Sequence, residues 1–451
     1  MKLADFVLSE YGNASSIPAP VNRMMAAFAT DFRQDKDINV GVGYVNERTI
    51  PHDLILEALQ AVLAHPEKYK VALNYGGSQG SQNLIESIKK FHVENAIGGL
   101  TREILDRNEI IIGPNGATSL LEGIAHVLPP GIVITSDPTY YIYCNFLERQ
   151  GFDVVAVSED EDGIRTDLLR EKLEGLGSRK NEIAFFYIVT INNPTSTILS
   201  NERRAELVQI VTELSNNAGR KIPLFFDTAY ENLVHDPTVP PLESGLLYDE
   251  HGIVYEIGTL SKILAPALRI GYMIGNDSPF LRAMVQKTSD VGFSAPLITQ
   301  EIASYLLDYH VQGQIDSVNQ GYRQKARAVK GCIDEQLGDV ISACSGGKAG
   351  FYFYLTLGGI QTTEDSAFFK YLSRTTGDEA IDGPDTDNNS RVIYLPGQHC
   401  VHPRGDLVEV GKRQLRLSYG FEEVERIREA IKLMREAADY AGGDVPGIST
   451  F

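Results

Sequence analysis

Short apolar runs along the chain are each followed by a polar stop and then by a stretch with helical spacing. The runs occupy residues 109–112, 132–134, 185–189, 224–226 and 253–257, and helical stretches lie at 120–128, 141–150 and 201–214. Runs of this length are typical of buried strands, and their alternation with helices indicates a mostly parallel sheet covered on both faces. We therefore predict an α/β fold.

Both ends of the chain follow a different pattern. A helical stretch at 21–30 and the segment INVGVGY come before the alternation. A long helical stretch up to residue 337, strand-like segments at 349–357 and 414–420, and a final helix from 422 come after it. We expect these flanks to form one smaller α+β domain. The predicted division is 1–55 for its N-terminal part, 56–300 for a large ligand-binding domain and 301–451 for its C-terminal part.

Charge and cysteine content exclude several classes of protein. The 60 Asp and Glu against 41 Lys and Arg give a net charge of −19, and no basic patch offsets it, so we expect no binding to nucleic acid or anionic membranes. The apolar runs are far shorter than the roughly 18 residues of a membrane helix. MKLADFVLSE lacks the basic start of a signal peptide, and the four cysteines are scattered, so a cytoplasmic protein is predicted.

Polar residues follow the predicted strands at the points where ligands bind in open α/β sheets. They are Asn115, Gly116, Ala117, Thr118, Tyr140, Asn193, Asp227, Tyr230, Ser261 and Lys262. The loop GPNGATS leads directly into a helix, whose first N–H groups could receive a phosphate. An ordinary helix cap is the alternative for this loop.

Lys262 and Asp227 are the two groups with the most specific chemistry. Lys262 lies near Arg269 and a run of apolar residues, which lowers the pKa of an amine, as a lysine that forms a Schiff base requires. Asp227 directly follows an apolar strand and is either a helix cap or the partner of a buried cation, such as the pyridine nitrogen of pyridoxal phosphate. Asn193 could equally form a turn before Pro194, and Tyr230 could be a core residue.

Two further motifs have alternative interpretations. Arg416 alternates with apolar neighbours in QLRLSYG, and an inward arginine binds a ligand carboxylate through paired hydrogen bonds or forms a structural ion pair. His399 and His402 flank Cys400, but no further ligand cluster stands nearby in the sequence, so no metal site is predicted.

Taken together, the motifs resemble the fold-type I pyridoxal-phosphate enzymes of the aspartate aminotransferase superfamily. The resemblance is strongest to 2-aminoadipate and kynurenine aminotransferases and to MocR-like regulators. It is carried, in family order, by GVGY, NYGGSQG, NGATSLLEG, DPTYYIY, NNPT, DTAY, SKILAPALRIGY, PGQ and LRLSYG. It implies a seven-stranded, mostly parallel sheet in the large domain and pyridoxal 5'-phosphate as cofactor.

The resemblance also implies roles at the cofactor. Lys262 would bond to the cofactor aldehyde and later move the Cα proton, and Asp227 would pair with the ring nitrogen. Asn193 and Tyr230 would hydrogen-bond the phenolic oxygen, and Tyr140 would stack on the ring. The phosphate would be bound by Gly116, Ala117, Thr118, Thr259, Ser261, Arg269 and, across a homodimer with composite sites, Tyr75 of the partner subunit.

For the substrate, the resemblance implies two contacts. Arg416, Asn193 and the backbone near Gly43 would hold the α-carboxylate. Arg23, or Asn22 in the neighbouring register, would reach the substrate side chain from an N-terminal helix. The predicted donor is therefore a dicarboxylic or aromatic amino acid.

Three positions depart from the family pattern. Ser196 stands in NPTS where NPTG is familiar, Ala267 stands in PALR where PGLR is familiar, and residues 383–390 form a polar insertion before PGQ. The first two changes add a Cβ, which could shift the nearby loops. The insertion lies close to where specificity is usually set.

The resulting functional prediction is an aminotransferase that moves an α-amino group from an amino acid to a 2-oxo acid, such as 2-oxoglutarate, by a ping-pong mechanism. A pyridoxal-phosphate lyase acting at Cα or Cβ is one alternative, because the same cofactor supports both reactions. A non-catalytic, MocR-like ligand-binding module is another. The acidic charge argues against the DNA binding that such regulators need.

Overall fold

The computed structural model describes residues 6–384 and 386–443. Within them, fourteen strands form three sheets. The strands are β1 (Ile38–Asn39), β2 (Asn108–Ile112), β3 (Ile132–Asp137), β4 (Asp153–Asp160), β5 (Gly163–Ile164), β6 (Ile183–Val189), β7 (Leu224–Asp227), β8 (Val254–Thr259), β9 (Gly271–Asn276), β10 (Ile341–Gly346), β11 (Tyr352–Leu357), β12 (Val392–Ile393), β13 (Leu395–Pro396) and β14 (Gln414–Ser418).

The largest sheet has eight strands in the order β2-β9-β8-β7-β6-β3-β4-β5. The five strands β8, β7, β6, β3 and β4 run parallel, and β9 is antiparallel to both its neighbours. Strands β3, β6, β7 and β8 are buried along their whole length, which follows from helices covering both faces. The predicted α/β fold with a mostly parallel sheet is confirmed, and β5 adds a two-residue edge strand to the seven strands expected.

Helices cover this sheet and build the rest of the chain. They are α1 (Glu10–Ser15), α2 (Pro20–Thr30), α3 (His52–Ala64), α4 (Gln82–Glu94), α5 (Arg102–Arg107), α6 (Gly116–Val127), α7 (Tyr141–Arg149), α8 (Thr166–Leu176), α9 (Asn201–Ala218), α10 (Pro279–Gly292), α11 (Leu297–Tyr309), α12 (Val311–Leu337), α13 (Ala367–Ser373), α14 (Glu379–Asp382), α15 (Val408–Gly411) and α16 (Val424–Gly443). The long stretch predicted from 296 to 337 is two helices, because the backbone at His310 leaves helical geometry with φ −133°.

A second, four-stranded antiparallel sheet has the order β10-β11-β14-β13. Strand β14 carries Arg416. In the same part of the chain, α12 and α13 each pack against α16. Helix α12 buries residues spaced three or four apart, from Val311 to Leu337, as a one-sided amphipathic helix does. The domain boundaries at residues 55 and 300 stay predictions.

The two flanks of the chain meet in a short parallel pair. Strand β1 pairs with β12, so Ile38 lies opposite Val392. The fully buried carboxylate of Asp37 accepts hydrogen bonds from Arg33 and Arg391, which hold its pKa well below its ordinary value. Two arginines around one buried acid thus fix the N-terminal segment against the C-terminal part.

The polar insertion at 383–390 directly follows the short helix α14 and contains a turn, and its position 385 lies outside the described residues. Lys36 forms an ion pair with Asp387 of this insertion at 2.6 Å. Across the described ranges, none of the helices combines the length and apolar character needed to cross a membrane.

Candidate active site

The carboxyl ends of the parallel strands open into a cavity of about 600 Å3. Many of the predicted residues line it, and they come from seven separate stretches of chain. They are Gly43, Ala117, Thr118, Tyr140, Asn193, Asp227, Tyr230, Thr259, Ser261, Lys262, Arg269 and Arg416. The sheet topology therefore assembles in space the groups that the sequence separates by up to several hundred residues.

The first turn of α6 faces this cavity with open backbone N–H groups. Asn115, which precedes the helix, does not cap it; its side-chain oxygen accepts instead from Arg269 Nε at 2.9 Å. Gly116 has φ +70°, and a Cβ there would come within 2.9 Å of Arg269 Nη2. The helix N-terminus and the guanidinium thus meet at a place where only glycine fits, which suits an anion such as phosphate.

Hydroxyl groups at the end of β8 extend this anion-binding region. Thr259 Oγ1 lies 3.0 Å from Ser261 Oγ and donates to the carbonyl of Ile270 at 2.8 Å. The backbone N–H of Ser261 donates to Thr259 Oγ1. These bonds fix the turn that carries Lys262, the next residue in the chain.

Lys262 projects into the cavity and is partly enclosed. Its Nζ donates to the carbonyl oxygen of Gly43 at 3.1 Å and lies 5.5 Å from the ring centroid of Tyr230. Burial, and then the nearby charges of Arg416 and Arg269, lower its pKa to about 8, although Asp227 acts in the opposite direction. About one tenth of this amine is therefore neutral, and so nucleophilic, at pH 7, far more than for a lysine with the ordinary pKa of 10.5.

Asp227 closes β7 as a buried acid. Its Oδ2 accepts from Tyr187 Oη at 2.7 Å, and its Oδ1 accepts from the backbone N–H of Ala229 at 3.1 Å. Burial raises the pKa of this carboxyl, and the hydrogen bonds from Tyr187 and Ala229 and the charge of Lys262 offset part of that rise. A cation placed beside it would compensate the remaining cost of burying the charge.

Arg416 reaches the cavity from β14. Its Nη1 donates to Asn193 Oδ1 at 2.6 Å, its Nη2 donates to the carbonyl of Gly41, and its guanidinium lies 4.3 Å from the ring centroid of Tyr352. Its Nε has no hydrogen-bond partner although it is buried. No carboxylate of the described residues pairs with this arginine, so the structural ion pair considered from the sequence is not what the structure shows.

Two contributors to the site were not predicted. Tyr187 lies in the middle of the apolar strand β6 and binds Asp227, while Tyr352 of β11 lies 2.9 Å from Tyr230, hydroxyl to hydroxyl. Both tyrosines are almost fully buried within apolar strands. In the sequence such residues look like ordinary core, and only their hydroxyl groups hinted at another role.

Three predicted residues lie outside the lining of the cavity. Gly116 stands just behind it, at the start of α6. Tyr75 is 73% exposed and packs against the ring of Phe293. Arg23 and Asn22 are both exposed on α2, and Asn22 also lines a smaller side pocket that adjoins the cavity.

The two departures from the family motifs are accommodated locally. Ser196 adopts φ +53°, the left-handed conformation that glycine takes most readily, and its hydroxyl is buried without a partner. Ala267 lies in a short 3-10 turn, and it lines the cavity. The chain therefore keeps the backbone path of a glycine at 196 while carrying a side chain there.

Comparison with known proteins identifies the family. Residues 39–425 match the family described as aminotransferase class I and II. The chain belongs to this family. The matched region of this aminotransferase contains all the predicted site residues except Arg23.

Similar proteins support the branch predicted from the motifs. Aromatic-amino-acid aminotransferase 1 of Thermococcus litoralis is 25% identical over 406 residues, covering 88% of this chain and 87% of that protein. The uncharacterized HTH-type transcriptional regulator YisV of Bacillus subtilis is 23% identical, covering 89% of this chain and 73% of the regulator. The structure of Pyrococcus horikoshii kynurenine aminotransferase with PMP superposes with a TM-score of 0.78 at 24% identity, covering 95% and 96% of the two chains. The last likeness confirms the fold.

Pyridoxal phosphate is the cofactor of this aminotransferase, and the residues present fit it. The amine of Lys262 has a lowered pKa, as a Schiff base requires, and the acid of Asp227 is buried beside it in the same cavity. The open first turn of α6 next to Arg269 fits the phosphate. The aldehyde, the ring nitrogen and the phosphate of the cofactor would therefore each have a complementary group in this cavity.

Cofactor binding is expected to become faster as pH rises through about 8. The neutral amine of Lys262 is the form that attacks an aldehyde, and with a pKa of about 8 its fraction rises from about one tenth at pH 7 to about nine tenths at pH 9. Stopped-flow absorbance after mixing cofactor-free protein with pyridoxal phosphate measures this rate. A rate constant that stays flat between pH 7 and pH 9 would contradict the lowered pKa.

Proposed function

We propose that one site serves the amino acid and the 2-oxo acid in turn, with Lys262 as the group that moves the proton. The observation that carries this proposal is the position of Lys262: it is the lysine of the cavity lining, it has a lowered pKa, and it shares the cavity with Asp227 and Arg416. When bound, pyridoxal phosphate supplies an electron sink for the pair left at Cα. The residues of the chain determine which bond breaks.

In this mechanism Lys262 acts first as nucleophile and then as base. The carbonyl of Gly43, 3.1 Å from Nζ, orients the amine. Because its pKa is about 8, the neutral amine can accept a proton from Cα, and the protonated amine can then donate that proton again. A lysine with an ordinary pKa of 10.5 would stay protonated at neutral pH and could not start this cycle.

The other cavity residues are proposed to hold the cofactor. Asp227 pairs with the ring nitrogen and keeps it protonated. Asn193 and Tyr230 bind the phenolic oxygen, Tyr140 stacks on the ring, and the phosphate is bound by Gly116, Ala117, Thr118, Thr259, Ser261 and Arg269. Support comes from the cavity that all of them except Gly116 line, and from the polar network that fixes several of them.

The α-carboxylate of the substrate is proposed to bind Arg416. The guanidinium is held by Asn193 and Gly41 and lies against the face of Tyr352, so it is oriented before any ligand arrives. A planar fork fixed in this way favours paired hydrogen bonds with a carboxylate. Binding at this end leaves the Cα of the substrate toward Lys262.

Absorption spectroscopy of the purified holoenzyme tests the proposed function. An amino acid donor should convert the visible band of the lysine-bound cofactor to the spectrum of the amine form, and a 2-oxo acid should restore it. Borohydride should bleach the resting band. Release of pyruvate and ammonia without any added 2-oxo acid would instead identify the lyase alternative.

We further propose that the aminotransferase is a homodimer in which Tyr75 contributes to the partner's phosphate site. Tyr75, Phe293 and Leu73 are largely exposed large hydrophobic residues, which is typical of an interaction surface. Light scattering would measure the mass, and a monomer at micromolar concentration would exclude composite sites.

The four free cysteines suit the cytoplasmic setting and the amino acid metabolism that we propose, and cell fractionation tests the location.

A further inference from the structure

A side pocket of about 260 Å3 opens beside the cavity, on the side where Arg416 lies. It shares six lining residues with the cavity: Gly43, Tyr44, Tyr140, Ile142, Asn193 and Arg416. At about 30 Å3 per water, its volume corresponds to about nine waters, which leaves room for a side chain as large as that of leucine, methionine or phenylalanine. A substrate whose α-carboxylate binds Arg416 would therefore extend its side chain into this pocket.

The walls of the side pocket are mainly apolar. Helix α2 supplies Val21 and Met25, and the opposite wall is made by Leu395 and Cys400, which pack in one hydrophobic cluster with the face of α2. Polar residues that line the side pocket but not the cavity, such as Asn22 and Thr139, are uncharged. The part of the side pocket that is not shared with the cavity therefore offers hydrogen bonds but no permanently charged side chain.

Charged groups of the described lining are already engaged. Arg416 is the lining residue with a permanent charge, and the α-carboxylate that every substrate carries would use it. His399 binds Glu364 Oε1 through Nε2 at 2.8 Å, so any positive charge on its ring is balanced by that acid. A second carboxylate entering the side pocket would be buried without a cation of this chain.

We propose that the side pocket binds the substrate side chain and selects uncharged, largely apolar side chains in both half-reactions. This inference rests on the proposed function and makes it more specific. Because a ping-pong exchange uses one site for donor and acceptor, the same walls receive the amino acid and the 2-oxo acid. A monocarboxylic 2-oxo acid, rather than 2-oxoglutarate, is therefore the preferred acceptor.

The choice of substrate differs from the sequence-based expectation because α2 presents a different residue. The sequence predicted Arg23 at the substrate side chain, with Asn22 as the alternative. Both residues are exposed on α2, and of the two only Asn22 lines the side pocket. The dicarboxylic donor was inferred from an arginine that the pocket lining does not include.

Half-reaction kinetics of the holoenzyme test this proposal. Leucine, methionine and phenylalanine are compared with aspartate, glutamate and 2-aminoadipate, and the amine form is then mixed with 4-methyl-2-oxopentanoate, phenylpyruvate or 2-oxoglutarate. We expect kcat/KM to be at least about 100-fold higher for the uncharged members of both series. Dicarboxylates that react within tenfold of the best uncharged substrate would overturn the proposal. A holoenzyme whose spectrum no donor changes would overturn the proposed function itself.

A pair of charge additions on α2 locates the selectivity. Asn22→Arg places a cation at the side pocket and should raise kcat/KM for glutamate relative to leucine by at least about tenfold. Thr30→Arg adds the same charge at an exposed position of the same helix and should leave that ratio unchanged. Equal shifts in the two variants would show that the pocket does not hold the side chain. Loss of dicarboxylate turnover in Arg23→Ala would restore the arginine expected from the sequence.

Discussion

Replacing Lys262 with alanine is expected to lower kcat by about 10^4-fold or more, because one change removes both the bond to the cofactor and the proton carrier. The amine is held by the Gly43 carbonyl and has a pKa of about 8, which suits the proposed role of Lys262 as nucleophile and base. Steady-state assays with the best donor and acceptor measure the loss. The same variant should lose the band that borohydride bleaches.

Two controls separate this effect from loss of folding. Lys330→Ala removes an exposed lysine that pairs with Asp334 on α12, and it should leave kcat unchanged. Small amines added to Lys262→Ala should restore part of the activity if only the amine is missing. Activity within 100-fold of the wild type, without any added amine, would show that another group moves the proton.

Replacing Asp227 with asparagine is expected to lower kcat by about 10^2- to 10^3-fold. The amide has nearly the shape of the acid and can still accept from Tyr187, but it carries no charge to stabilise a protonated ring nitrogen. The electron sink then weakens although the cofactor still binds. Single-turnover kinetics with a saturating donor measure the loss, and the cofactor spectrum confirms occupancy.

Tyr187→Phe is the matched control for this prediction. It removes the 2.7 Å hydrogen bond to Asp227 and keeps the acid, so kcat should fall far less, by about tenfold at most. A Tyr187 variant as impaired as Asp227→Asn would indicate that the hydrogen-bond network, and not the charge, controls the rate. Asparagine with activity near that of the wild type would exclude the pairing altogether.

The central sheet and most of the cavity could be predicted from local patterns. Each buried parallel strand ends in polar residues, and parallel strands place those ends at one edge, so Asp227, Lys262 and Asn193 were expected together. The added edge strand β5 has two residues and no apolar run, so no sequence pattern predicted it. The break between α11 and α12 was not predicted either, because the helical spacing of apolar residues continues across His310. The contact of the His310 ring with Glu57, at 3.1 Å, joins segments that are distant in the sequence.

The parts that could not be predicted depend on contacts between distant segments. Tyr352 is adjacent to Tyr230 only after β11 packs beside the large sheet. Whether Asn22 or Arg23 faces the substrate depends on the rotation of α2 about its axis, and two neighbouring positions on a helix differ by about 100°. A sequence pattern shows that a face exists but does not fix such a rotation.

The pairing of β1 with β12 has a consequence for how the protein matures. Residues 38 and 39 leave the ribosome more than 350 residues before their partners at 392 and 393. Contacts of such long separation form slowly and late. Gly41 and Gly43, which hold Arg416 and Lys262, directly follow β1, so a nascent chain can fold its central sheet well before it can perform any chemistry.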